Sequence, residues 1–199
     1  NKSQARKLLL RSVDLALKAR DLFVLKNQID TPIYVSASMG PYGAFLADGS
    51  EYRGNYKITE QQLRLFHASR IELLASSGAD FFAFETIPSI VEVKVLASLL
   101  KVTSKPSWIS FSCKNELYMN DGSKISDAAK IIANHPTVFA IGVNCTAPKY
   151  ISKIIKTIKM AATNKKIIVY PTSGEVYHSK SKSWLGMSHP AAFEKMAIE

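Results

Sequence analysis

The chain has 199 residues, 47% of them apolar, with two cysteines and a formal net charge of +10. That is long enough for one domain with a real core, too poor in cysteine for a disulfide framework, and without an apolar run of membrane-spanning length. No basic-then-apolar leader precedes the first predicted helix, so the expectation is a cytoplasmic protein without membrane association.

Residues 2–25 carry Leu8, Leu15, Ala19 and Leu22 at helical spacing, which predicts an amphipathic helix with that stripe turned inward and Lys2, Arg6, Lys7 and Arg11 outward. A short β-rich run at 33–38 follows Pro32, then a long loop, GPYGAFLADGSEYRGNY, over 40–56. Thr59 and Gln62 fit a capping box, opening a helix through Leu63, Phe66, Arg70 and Leu74 towards Gly78 as its stop. DFFAFET at 80–86 reads as a buried strand. Ser89 and Glu92 form a second capping-box pattern before a helix through Val93, Leu96 and Leu100.

PSWISFS at 106–112 is a further strand, and Ile125, Ala128, Ile131 and Ile132 mark a helix. The apolar run at 138–144 ends in Asn144 and Cys145, with Thr146 and Pro148 as a predicted helix start. That helix sets Lys149, Lys153, Lys156 and Lys159 opposite Ile151, Ile154, Ile155 and Ile158. The basic charge therefore lies on solvated helix faces. No aromatic-interleaved basic loop or zinc-finger pattern accompanies it, so no nucleic-acid partner is expected. IIVYP at 167–171 is the last predicted strand; after Tyr177 the tail is polar, with a helix pattern over 191–198.

Strands and helices alternate about five times without a hairpin signal, the pattern of an α/β fold with a parallel sheet in a single domain over 1–199. Ser38, Glu85, Cys113, Asn144, Cys145, Ser173 and Glu175 all fall at the C-terminal ends of successive strands. That is where a barrel keeps its chemistry, whereas a doubly wound sheet concentrates its site at one crevice. Dinucleotide and P-loop patterns are absent. Cys145 has two readings: a small buried hydrophobe, or a thiol at the strand lip where α/β proteins place chemistry. His67, His135, His178 and His189 show no metal-pair spacing.

Four motifs, in order and at consistent spacing, resemble the homocysteine S-methyltransferase family, in particular its S-methylmethionine-dependent branch. They are the loop at 40–56, FETIPS at 84–89, GVNCTAP at 142–148 and VYPTSGEVY at 169–177, in which Thr172 stands where the branch usually has Asn. The resemblance implies a (β/α)8 TIM-type barrel, incomplete here, with the first two strands and the eighth outside the chain. It implies a zinc held by three cysteines: Cys145, and an adjacent pair expected beyond Glu199. Cys113 is then a core thiol, because family ligation does not involve its strand.

The implied reaction moves a methyl group from a sulfonium donor, S-methylmethionine or S-adenosylmethionine, to homocysteine, giving methionine. An amino-acid substrate needs a carboxylate for its ammonium, and Glu85 is the candidate; a structural ion pair is the other account of it. Tyr42, with Phe45, Tyr52 and Tyr56, supplies aromatic faces for a cationic sulfonium, or simply packs. Asn144 and Glu175 orient substrate or neighbouring groups, or else cap and brace loops. The alternative to an enzyme is an inactive truncated barrel serving as a binding module.

Overall fold

The computed structural model describes residues 2–198 except 174, 179–180 and 187–189. Helix α1 (Lys2–Asn27) leads into strand β1 (Ser36–Met39), which is followed by helices α2 (Tyr42–Leu46) and α3 (Glu60–Ala75). Then come β2 (Phe81–Ile87), α4 (Ile90–Leu99), β3 (Ser107–Phe111), α5 (Ile125–Ala133), β4 (Val138–Asn144), α6 (Ile151–Ala161) and β5 (Lys166–Tyr170). The five strands form one parallel sheet in the order β1-β2-β3-β4-β5. Spatial order equals chain order, so there is no reversal of the kind a doubly wound sheet makes at its switch point. The fold is α/β, an incomplete parallel barrel.

Alternation within the strands sorts the side chains. Ala37, Met39, Phe82, Phe84, Ile109, Phe111, Ile141 and Val143 are buried in the core beneath the helices, where Val93, Leu96, Ile125, Ala128, Ile132, Ile154 and Ile158 meet them. A fully buried phenylalanine contributes roughly 2–3 kcal/mol, so Phe82, Phe84 and Phe111 anchor this layer. The other face of the sheet carries the polar set: Ser38, Glu85, Ser110, Asn144 and Tyr170. Beneath them Phe81, Trp108 and Phe139 pack together, with centroids 5.2–6.3 Å apart.

Several local expectations change. On α1 the stripe Leu8, Leu15 and Leu22 is 70%, 52% and 67% exposed; Val13 is buried and Leu17 packs on the core instead. The helix lies at the edge of the sheet, touching α3, so only one of its two apolar stripes is covered. The 40–56 loop contains α2 and a 3-10 turn, Ser50–Tyr52. Thr59 and Gln62 do form a reciprocal capping box. Helix α3 then ends at Ala75, ahead of Gly78, because the Ser76 and Ser77 hydroxyls take the carbonyls of Leu73 and Leu74 at 2.7 Å each.

Ser89 caps α4, but the Glu92 side chain does not reach back to it; it is drawn into a buried network described below. Thr146 does not cap either, since its hydroxyl donates to the Asn144 carbonyl and accepts from Cys113 N. A 3-10 turn with Pro148 at its start leads into α6. In the tail, β6 (Val176–His178) and β7 (Ser183–Leu185) form an antiparallel hairpin before α7 (Pro190–Ile198), a pairing too short for periodicity to show. His189 lies outside the described residues.

Candidate active site at the strand ends

The β2–β3 ladder pairs Phe84 with Ile109 and then Ile87 with Phe111, so β2 holds one residue more than its partner. The surplus residue bulges at Glu85–Thr86, and Thr86 takes a left-handed backbone, φ +62°. Cys145, at the end of β4, is left-handed too, φ +46°. A positive φ is rare for a β-branched residue and persists only where neighbours hold it. Here the neighbour is Asn144.

Asn144 Oδ1 accepts from Thr86 N at 2.8 Å, and Asn144 Nδ2 donates to Thr86 Oγ1 at 2.7 Å. The bulge frees one N–H from the ladder, and a side chain two strands away satisfies it. Nδ2 also lies 3.3 Å from Cys145 Sγ, and the Thr86 hydroxyl 3.7 Å from it. Donors converging on sulfur suit a sulfur that carries negative charge. Cys145 is half-buried and free.

The array continues across the sheet. Ser110 Oγ donates to Asn144 Oδ1 at 2.8 Å and lies 2.8 Å from Tyr170 Oη. Tyr170 donates to Glu85 Oε1 at 2.8 Å, and Ser38 donates to Glu85 Oε2 at 2.5 Å. Burial above all, together with the bond to Glu85, pushes the Tyr170 phenol above its ordinary range, so at neutral pH it is a donor. All five strands thus contribute to one hydrogen-bonded chain: Ser38, Glu85 and Thr86, Ser110, Asn144 and Cys145, Tyr170. Each Glu85 oxygen accepts one such bond and keeps a lone pair for a further donor.

The other predicted residues stand apart from this chain. Tyr42 packs against Phe45, Tyr56 and Phe66 with centroids 5.8, 5.6 and 5.1 Å away, so three of the four loop aromatics do gather, around a residue of α3. Tyr52 ends the 3-10 turn. Glu175 follows β5 and accepts from the Ser173 hydroxyl. Cys113 is buried in the core and burial pushes its thiol up to about 12. His135 binds the Ala97 carbonyl at 3.0 Å, and His178 meets Ser181 in the hairpin.

Sequence reasoning passed over Ser110 and Tyr170 as site residues, and Thr86 as more than a strand end. The polar residue at every second position of WISFS was the available signal, since a core strand has no other use for it. Among the described residues no group of three or more His, Cys, Asp or Glu converges on a metal position. Cys145 alone could supply at most one of the ligands that a metal site needs.

Comparison with known proteins places the chain in a family. A family model described as homocysteine S-methyltransferase matches residues 1–197. A homocysteine S-methyltransferase of Bacillus subtilis is 44% identical over 94% of this chain and 60% of its own length. A selenocysteine Se-methyltransferase of Brassica oleracea is 42% identical over 89% of this chain and 55% of its own. The crystal structure of the Escherichia coli homocysteine methyltransferase MmuM in its metallated form superposes with a TM-score of 0.82 at 36% identity, covering 87% of this chain and 60% of that one. The chain thus spans about 60% of the length of such relatives. With nearly every residue inside the family model, and curated relatives 42–44% identical over most of its length, the chain belongs to the homocysteine S-methyltransferase family.

Proposed function

We propose that this chain provides the acceptor side of a site that transfers a methyl group from a sulfonium donor, S-methylmethionine or S-adenosylmethionine, to homocysteine. The observation that carries the reading is the position of Glu85 and Cys145 at opposite ends of one hydrogen-bonded chain across the strand ends. Glu85 takes the substrate ammonium on its open lone pairs, held in place by Ser38 and Tyr170. Asn144 fixes the Thr86 bulge and the direction of Cys145, which contributes one thiolate to a zinc. Bound zinc supplies the Lewis acidity that makes the acceptor a thiolate near neutral pH.

The acceptor sulfur then forms a bond to the methyl carbon while the carbon–sulfonium bond breaks. Its electron pair leaves on the donor sulfur, which departs as a neutral thioether. The aromatic group around Tyr42 faces the cationic donor, and Glu175 orients substrate. A selenol amino acid is an acceptor of the same kind, so selenocysteine competes with homocysteine for the site.

The test joins the chain to the flanking segments of the Bacillus subtilis relative and measures zinc content and methionine formed from S-methylmethionine and homocysteine. Zinc and turnover are expected in the chimera, and little of either in the 199-residue chain alone. Cys145→Ser in the chimera should remove both. Glu85→Gln should raise the homocysteine KM and leave zinc unchanged. A Cys145→Ser chimera with stoichiometric zinc and normal turnover would make Cys145 a core thiol.

A further inference from the structure

Behind the strand ends lies a second polar cluster that the reaction above does not use. Glu92 and His67 are completely buried, with Glu92 Oε1 2.6 Å from His67 Nε2. The same oxygen accepts the backbone N–H of Tyr42 at 2.8 Å. On the other side of the ring, Arg70 Nη2 lies 2.9 Å from His67 Nδ1 and donates to the Gly40 carbonyl at 3.0 Å. Arg70 also covers the Phe66 ring at 3.8 Å, and Phe66 holds Tyr42 edge-on.

A guanidinium only donates, so His67 Nδ1 must be an acceptor and the hydrogen sits on Nε2, pointing at Glu92. The imidazole is therefore neutral, in keeping with burial, which lowers its pKa ahead of every other influence. The result is a carboxylate–imidazole–guanidinium relay with the two full charges at its ends. Both ends grip the start of one loop: Gly40 through Arg70, and Tyr42 through Glu92. The far side of that loop meets the site, where the Ser112 hydroxyl contacts the Glu51 carbonyl at 3.4 Å and the Thr86 carbonyl at 3.2 Å.

We propose that Glu92, His67 and Arg70 are positioning residues, a buried latch that fixes the 40–56 loop against the strand ends and so sets where Tyr42 stands for the methyl donor. The role of Tyr42 rests on the function proposed above; the latch itself does not. Isolated buried charges are costly, so a fully buried relay that binds two backbone groups of one loop has its use in that loop. The groups facing His67 and its partners are Glu92 from α4, Arg70 from its own helix and Tyr56 from the loop, with Glu51 in turn facing Tyr56. The charge of Glu92, after burial, helps push the Tyr56 phenol upward.

The test is hydrogen exchange at residues 41–46 against the central strand 107–111, with the methyl-donor KM measured on the zinc-loaded chimera described above. His67→Phe keeps the ring and removes both nitrogens; it should speed exchange in 41–46 about tenfold while 107–111 stays unchanged, and raise the S-methylmethionine KM about tenfold with kcat within about twofold. His67→Gln can donate to Glu92 and accept from Arg70, and should restore both readings. Should His67→Phe fail to fold, the unsubstituted protein serves. Protonation turns Nδ1 into a donor facing Arg70, so protection of 41–46 relative to 107–111 should fall at pH below the ordinary imidazole range. Exchange that changes equally in both segments, or in neither, overturns the latch. Faster exchange in 41–46 with an unmoved KM overturns the positioning of Tyr42. An unsubstituted protein without methyl transfer would end the functional reading and leave the exchange result to judge the latch.

Discussion

Asn144 holds Thr86 by both of its polar groups: the backbone N–H at 2.8 Å on Oδ1 and the hydroxyl at 2.7 Å on Nδ2. One buried side chain on β4 thus satisfies the bulge of β2 and, through the same Nδ2, faces Cys145. Asn144→Ala should strand the Thr86 N–H, leave the Ser110 hydroxyl with Tyr170 as its partner, and cost about 3 kcal/mol in urea unfolding. Asn144→Asp keeps the acceptor and loses the donor. It should cost less stability than Asn144→Ala while still lowering metal content, because a carboxylate then faces the Cys145 sulfur.

The Tyr170 hydroxyl meets Glu85 and also Ser110 and Trp108, so Tyr170→Phe opens the hydrogen-bonded chain next to Glu85. The homocysteine KM should rise about tenfold, equivalent to about 1.4 kcal/mol, with zinc content unchanged. A variant that lost zinc would show that the hydroxyl supports the Cys145 end of the chain instead.

The two thiols should separate chemically. Cys145 is only half-buried, and iodoacetamide at pH 8 should modify it in the folded metal-free chain, with Cys113 reacting only on unfolding. Burial raises the Cys113 thiol from 9.0 to about 12, so the folded state holds that proton where the unfolded chain releases it. Its contribution is complete below pH 9 and is lost as pH rises from there towards about 12. Cys113→Ala should flatten that alkaline loss, as read from urea midpoints between pH 8 and 11.

Gly142 has no room for a side chain. A Cβ built there would lie 1.8 Å from the Ile168 carbonyl oxygen, on the neighbouring strand. Gly142→Ala should pry β4 from β5 and cost about 4 kcal/mol or more, or prevent folding. Gly40→Ala, where the nearest atom is the Ala44 Cβ at 3.6 Å, is the matched control and should change stability by about 0.5 kcal/mol or less.

The alternation of strands and helices was legible because each element carries its own period, and β4 ends at Asn144 as read from the sequence. The candidate site's hydrogen-bonded cluster was legible where polar residues crowd the ends of strands. What escaped were interactions between elements. Leu8, Leu15 and Leu22 satisfy a helical period as well as Val13 and Leu17 do, and only the neighbours of α1 decide which stripe is covered. Ser89 and Glu92 match a local capping box, but a buried imidazole 25 positions away in sequence competes for the carboxylate and wins. Thr86 reads as an ordinary strand residue, since a bulge is a property of two strands and is invisible in one.

The bulge also separates what the sheet requires from what the site requires. Thr86 is the residue β2 has in excess of β3; a chain lacking it would still pair Phe84 with Ile109 and bring Ile87 opposite Phe111. Glu85 would keep its inward direction and Ile87 its place in the core. A one-residue deletion at 86 is then milder for folding than Gly142→Ala, although it shortens a central strand. The same deletion takes from Asn144 both of its Thr86 partners and from Cys145 its hydroxyl neighbour. In a length-variant library this position should behave as the reverse of a surface loop: tolerated by the fold, fatal to the chemistry.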